Sequence, residues 1–489
     1  MSDASQYDPY AMPPDGIVEP PQSLWAALRK IGPGIILAGS IIGSGELLLT
    51  TSLGAEYGFA FLWLILFSCV VKVFVQIELG RYAVSSGKPT LGALNEFPGP
   101  KWRVHWLVWW WLIMLLATVS QLGAMIGGVG QALNLAFPGG TQWLASVVEP
   151  ISGGLAETLR SHPEHPWAVV TAFTAVGLLL VGGYQSIERI TTAMVAGVTL
   201  ITVLCVAGLP ASGFPIGAED LQQGFAFALP AAGIAAAFGA FGITGVGASE
   251  LYAYPYWCLE KGYARFVGRH SDDDAWVRRA KGWLRVMHLD AWVSMLVFTT
   301  ATVAFYFLGA TVLHRQGLRP EKSEMIATLA EMYVPTFGDW TRIAFLVGAW
   351  AVLFKTLYVA SASNSRLTAD FLSLGRFLKF DSAEPRRICI RRFCVFYPLF
   401  GLLLYFTFRD PRAMVIFGGF VQAATLPVIA AASVYMRYRR TDPRLAPSRL
   451  SDICLWLAFL SITVVATYAI RNWGLNQFWP AVRDAIGWG

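Results

Sequence analysis

The chain has 489 residues and a mass of 53.5 kDa, with 55% hydrophobic residues, 14% charged residues and a mean hydropathy of +0.52. Soluble chains carry about 25% charged residues, so a string of soluble domains, a disordered chain and a disulfide scaffold are excluded. The net charge of +6 sits in short connectors between long apolar runs, where positive charge fixes membrane orientation rather than recruiting nucleic acid. The six cysteines (Cys69, Cys205, Cys258, Cys389, Cys394 and Cys454) form no C-x-x-C pair, so no zinc site or disulfide framework is indicated.

Residues 1–24 are polar and proline-rich and lack the basic start and short apolar core of a signal peptide. They are expected to form a disordered cytoplasmic arm. A membrane-crossing helix needs about 20 mostly apolar residues. Eleven runs qualify: Gly32–Leu53, Phe59–Tyr82, Val104–Phe137, Pro166–Gly183, Ile190–Leu209, Phe225–Tyr254, His288–Leu313, Arg342–Phe371, Phe393–Phe408, Ala413–Tyr435 and Ile453–Ile470. Lipid offers no partner to free backbone groups, and nothing alternates as barrel strands do, so all are expected to be helices.

The connectors alternate in basicity. Arg29 and Lys30 precede span 1; Arg81, Lys88, Lys101 and Arg103 follow span 2; long Arg/Lys clusters follow spans 6, 8 and 10. The other connectors are poor in basic residues, except the one holding Arg315, Arg319 and Lys322. This pattern predicts a cytoplasmic N-terminus, a C-terminus outside, and residence in the cytoplasmic (inner) membrane.

One motif occurs twice. Span 1 carries Gly43-Ser44-Gly45-Glu46-Leu47 and span 6 carries Gly247-Ala248-Ser249-Glu250-Leu251. Five spans separate the starts of the two, so they enter the membrane from opposite sides. Small residues beside an acid in matching spans of inverted halves point to a transporter's central site. Glycine costs a helix interior about 1 kcal/mol against alanine, so both spans are expected to unwind near the midplane and free carbonyls for a cation. A carboxylate at that depth costs about 2.5–3.5 kcal/mol on insertion scales, so each glutamate should be paired or functional.

At this point the sequence resembles the Nramp metal-ion transporters. Gly32-Pro33-Gly34, the span 1 motif, Gly54-Ala55-Glu56-Tyr57-Gly58, Gln76-Ile77, Ile126-Gly127-Gly128, the stretch from Gly183-Tyr184 to Glu188, and Leu426-Pro427 carry the likeness, collinear over roughly residues 30–440. The resemblance implies an all-α LeuT-type fold: two inverted five-helix repeats with broken helices 1 and 6, plus an eleventh helix. The chain then divides into the tail 1–24, a first repeat 25–210, a second repeat 211–440, and 441–489 with the last helix and an extracellular tail.

The departures from the family pattern set the chemistry. Where the family has Asp-Pro-Gly-Asn stand Gly43, Ser44, Gly45 and Glu46; where it has Met-Pro-His-Asn stand Gly247, Ala248, Ser249 and Glu250. A backbone ligand falls at Thr244. The acids associated with proton passage fall at Gln121 and Ala124, and a span 10 glutamine falls at Gln422 or Thr425. The loss of the Met and of the proton route is similar to the Nramp-related magnesium transporters. Two carboxylates with carbonyls and hydroxyls make an oxygen set suited to a hard ion, magnesium or manganese, with Gly43 and Gly247 leaving room.

The leading expectation is therefore transport of a hard divalent cation by alternating access, with Glu46 and Glu250 as metal ligands. The partners are the cation and the bilayer; no cofactor and no obligate protein partner is expected. A rival arises from Lys355 in span 8. Paired with Glu46 or Glu250, its ammonium could hold a coupling cation's place, and the solute could be a small organic molecule such as an amino acid. A non-transporting sensor is the third alternative. Lys72 and Glu78 read as structural, and His288 with Asp290 as a surface pair or an inner gate. No H-E-x-x-H or G-x-S-x-G occurs, so an enzyme is not expected.

Overall fold

The computed structural model describes residues 16–471 apart from 183, 321–323, 335–337, 339–340 and 381. Most of the expected N-terminal arm, Lys322 and the expected C-terminal tail beyond 471 lie outside the described residues. The described chain is helical apart from connectors and one two-residue strand pair, β1 (Lys101–Trp102) against β2 (Val104–His105). Among the described residues, ten helices are long and apolar enough to cross a membrane, or eleven when one bent pair counts as a span.

Span 1 is α1 (Pro33–Ile41), then a π-helical stretch Gly45–Thr50 leading into α2 (Thr51–Tyr57). Span 2 is α3 (Leu62–Ser86), and span 3 divides at Val119 into α4 (Trp106–Thr118) and α5 (Ser120–Ala136). The bent pair is α6 (Gly153–Ser161) and α7 (His165–Val181), which meet at 86°. Span 5 is α8 (Tyr184–Gly208). Span 6 is interrupted between α9 (Ile234–Ile243) and α10 (Ala248–Lys261). Spans 7 to 11 are α11 (Asp274–Leu308), α12 (Thr341–Leu374), α13 (Ala383–Phe408), α14 (Pro411–Arg439) and α15 (Arg449–Ala469).

The two breaks fall where the glycine clusters predict them. In span 1 the helix stops at Ile42, whose ψ of 78° leaves the helical region. In span 6 Thr244 turns extended and Gly245 takes φ +66°, a left-handed conformation that disfavours any residue with a Cβ. Both breaks are central and enclosed: Ile42, Leu47, Thr244 and Val246 are buried, with α3, α11, α12 and α14 around them.

Ion pairs tie the ends of the spans together. Lys261 bonds Glu188 at 2.6 Å, Arg366 bonds Glu260 at 2.5 and 3.0 Å, and Arg437 bonds Asp452 at 2.8 Å. In the connector after span 10, hydrogen bonds from Arg444 hold the Asp442 carboxyl well below the usual carboxylate range. Glu78 pairs with Arg81 at 3.0 Å and is structural, as expected. Two of the four tryptophans of α4 serve packing: Trp111 is fully buried, and Trp109 stacks on Trp102.

Candidate functional site

Four helix ends meet at the centre of the molecule, and each carries a charge of the opposite sign. A helix C-terminus presents unpaired carbonyls and a negative partial charge; an N-terminus presents unpaired amides and a positive one. At the end of α1, Lys355 of α12 donates to the carbonyls of Gly39 (2.8 Å) and Ile42, and Thr356 adds a bond to Gly39 at 3.3 Å. At the end of α9, Lys72 of α3 donates to the carbonyls of Phe241 (2.7 Å) and Thr244, and its ammonium lies 5.1 Å from the Phe241 ring centroid. Both lysines are fully buried, and neither has a carboxylate within ion-pair distance among the described residues.

The glutamates stand at the two N-terminal ends. Glu46, in the first turn after the span 1 break, accepts from the Gly43 amide at 3.2 Å and from the Thr302 hydroxyl of α11 at 3.3 Å. It is completely buried. Glu250 sits in the first turn of α10, where it accepts from the hydroxyls of Ser40 (2.8 Å) and Ser249 (3.3 Å).

A cavity of about 50 Å³ opens beside Glu250. Ser40, Ser44, Gln121, Ser249, Asn364 and Gln422 supply its polar wall, and Met125 supplies a thioether. Glu46 is not on that wall. Gln422 is the hub: its Oε1 accepts from the Ser249 amide (3.1 Å) and hydroxyl (2.6 Å), and its Nε2 donates to Gln121 Oε1 at 3.2 Å. Gln121 in turn reaches the Val415 carbonyl at 3.4 Å.

Several sequence expectations change here. The Thr244 carbonyl accepts from both Lys72 and Ser68 (2.9 Å), so both its lone pairs are used within the protein. Its hydroxyl lies 3.3 Å from that of Thr50. The space expected beside the glycines is already filled. A Cβ on Gly43 would stand 2.1 Å from Thr356 Oγ1, and one on Gly247 would stand 2.5 Å from Glu250 Oε2 and 2.7 Å from Gln422 Oε1. Of the two span 10 candidates, Gln422 faces the cavity, whereas the Thr425 hydroxyl bonds back to Val421 of its own helix at 2.9 Å. Met125 adds a sulfur that motif comparison does not reveal.

Lys355 pairs with carbonyls rather than with Glu46 or Glu250. Lys72, read as structural in sequence, occupies the corresponding position at the second break. A lysine inside an apolar run was its only signal, since its partners are backbone carbonyls 169 and 172 residues away. Asp290 is no surface group: it is buried, and accepts from the amides of Gly32 (2.8 Å) and Gly34 (2.6 Å) and from Tyr254 (3.1 Å). It fastens the start of span 1 to spans 6 and 7. His288 instead contacts Arg81 at 3.1 Å.

The chain is 23% identical over 460 residues to the Pasteurella multocida protein PM0681, which covers 92% of this chain and 93% of that one. It is 30% identical over 102 residues to the divalent metal cation transporter MntH of Bacillus subtilis, a stretch of 20% of this chain and 24% of that protein. Among solved structures, the Eremococcus coleocola manganese transporter superposes with a TM-score of 0.62 at 14% identity, covering 95% and 92% of the two chains. MhsT, solved in complex with L-phenylalanine, superposes with a TM-score of 0.51 at 15% identity, covering 93% and 99%. With both broken spans, these likenesses establish the LeuT-type fold. The family described as "Nramp: Natural resistance-associated macrophage protein-like" matches residues 34–471. The chain belongs to the Nramp family: it is a multi-pass membrane transporter and not an enzyme.

Proposed function

We propose that the protein carries a hard divalent cation, magnesium or manganese, across the cytoplasmic membrane by alternating access, and that the ion stops at Glu250. The observation that carries this reading is the placement of the charges. The chain's own lysines already neutralise the carbonyls freed at both breaks, so those carbonyls offer no vacant cation position. The carboxylate that remains open to a cavity is Glu250, with hydroxyl and amide oxygens of Ser40, Ser249, Gln121 and Asn364 about it, while Gln422 Oε1 is taken up by the amide and hydroxyl of Ser249. Oxygen ligands of this kind suit hard ions. Glu46 is the second negative charge, set behind the break. Relatives named as divalent cation and manganese transporters support the same substrate class.

Cavity size argues against an amino acid. Pockets for organic ligands run to about 300–1,000 Å³, whereas about 50 Å³ suits an ion with a few waters, each needing about 10–15 Å³ of such space. Magnesium keeps waters readily, which fits a site with one carboxylate and several neutral oxygens.

In this reading, across the first repeat (25–210) and the second (211–440), one helix bundle rocks against the other, with spans 1 and 6 hinging at their two breaks. The basic connectors mark the cytoplasmic face. Asp290 and the Lys261–Glu188 pair hold the cytoplasmic end of span 1, and the Arg412–Glu56 pair, with Tyr306 donating to the Gly58 carbonyl at 2.7 Å, holds the opposite end. Flux of magnesium and manganese into proteoliposomes tests the proposal. Wild-type protein should carry at least one of them and Glu250→Gln should abolish it; undiminished flux in Glu250→Gln refutes the assignment, and amino-acid flux without metal flux favours the organic-solute alternative.

A further inference from the structure

Away from the central site, His162-Pro163-Glu164-His165 forms the corner between α6 and α7. These three polar side chains offer ligand atoms that all lie within 4.8 Å of one another, and they are the one such group of three among the described residues. Glu164 Oε1 lies 3.9 Å from His162 Nδ1 and 3.8 Å from His165 Nε2. The two imidazoles stack with centroids 4.6 Å apart. His165 is 13% exposed, and its Nε2 is buried with no hydrogen-bond partner. A buried imidazole nitrogen without a partner is costly unless something fills the place.

We infer that His162, Glu164 and His165 form a second metal site that takes a divalent transition ion such as zinc or cobalt. Two imidazoles and one carboxylate are the ligand set of borderline ions rather than of magnesium. Ligands about 2.1 Å from a tetrahedral ion stand about 3.4 Å apart. The 3.8 and 3.9 Å separations from Glu164 need to contract by a few tenths of an ångström, and the two stacked imidazoles, whose ligand atoms lie within 4.8 Å, must turn out of their stack for their in-plane lone pairs to meet on one ion. Three protein ligands leave a fourth position for water, the arrangement of an exchangeable ion.

The corner is held in place by its neighbours. A Cβ on Gly130 of α5 would stand 2.8 Å from the Glu164 carbonyl, and Tyr405 of α13 donates to Glu164 Oε1 at 3.4 Å. The site therefore stands on spans 3, 4 and 9, apart from the broken helices, on the face opposite the basic connectors. Its present cation is Arg409, whose exposed guanidinium lies 3.1 Å from His162 Nε2. Arginine cannot accept a hydrogen bond, so His162 receives from it and holds its own proton at Nδ1. An ion at Nδ1 requires the proton to move to Nε2, which expels the guanidinium donor from that nitrogen, so Arg409 competes with the metal.

Cobalt(II) titration of the purified full-length protein, followed by visible absorption, tests the site. Wild-type protein should develop histidine-type cobalt bands that saturate at one equivalent, and Glu250→Gln should retain them. The double variant His162→Ala/His165→Ala should lose them, and Glu164→Gln should weaken binding about tenfold or more, the loss of one charge-assisted contact. Arg409→Gln should tighten binding. Thermal unfolding and gel filtration confirm that each variant is folded. Bands unchanged in a folded double variant, or absent from both wild type and Arg409→Gln, would overturn the inference.

Discussion

The two breaks use the same four-part recipe and reach different ends. At each, a half-helix C-terminus is met by a lysine and the following N-terminus by a glutamate. Around Glu46 every partner belongs to the protein, and the carboxylate is completely buried. Around Glu250 two serine hydroxyls donate, and the carboxylate still borders a cavity. A repeated motif thus yields one sealed acid and one accessible acid. The difference lies in what faces them: Thr302 of α11 closes over Glu46, while Gln422 of α14 stands back from Glu250 and bonds Ser249 instead.

The comparison breaks most sharply at Gly247. Its Cβ position is 2.5 Å from Glu250 Oε2 and 2.7 Å from Gln422 Oε1, so Gly247→Ala should displace the carboxylate. Magnesium or manganese flux should fall about ten- to a hundredfold, the cost of a contact to a charged group. A flux near wild type would show that the carboxylate's position does not matter.

A smaller effect is expected at the lysines. Lys355→Met leaves the Ile42 carbonyl buried without a donor, which costs about 1–3 kcal/mol. Thermal unfolding in detergent should show the loss. Because the freed carbonyls can then accept a monovalent cation, sodium should restore part of the stability; Lys72→Met should behave likewise at Phe241 and Thr244. Equal stability in both variants would mean that the ammoniums do not cap the breaks.

Glu46→Gln keeps the Gly43 and Thr302 contacts approximately in place while removing the charge. Ion affinity should change by less than about tenfold, whereas stability falls by about 1 kcal/mol. The smallest effect belongs to Met125, the sulfur in the cavity wall. Met125→Leu should alter magnesium flux less than about twofold, since a hard ion does not use a thioether. A large loss there, with cadmium transported in its place, would move the site toward soft ions.

The fold was legible because bilayer physics writes it in coarse strokes. Run length gave the spans, and glycine clusters at Gly39–Gly45 and Gly239–Gly247 marked both breaks. The bend of 86° before span 4 was not legible, since Gly153–Ser161 is too short and polar to read as part of a span. Within the site, the acids and Gln422 were readable as polar residues at membrane depth. Which acid faces a cavity was not, because that depends on Thr302 and Gln422 from helices far along the chain. Lys72 was readable as structural, but its partners were not, for the same reason: a side chain that bonds backbone carbonyls leaves no complementary residue in the sequence to pair it with.

The central claim is that Glu250, and not Glu46, meets the transported ion. Equilibrium binding of magnesium and manganese to purified wild type, Glu46→Gln and Glu250→Gln measures it directly. The account predicts an affinity loss of about tenfold or more in Glu250→Gln alone. An equal or larger loss in Glu46→Gln, with Glu250→Gln binding as wild type, would contradict it.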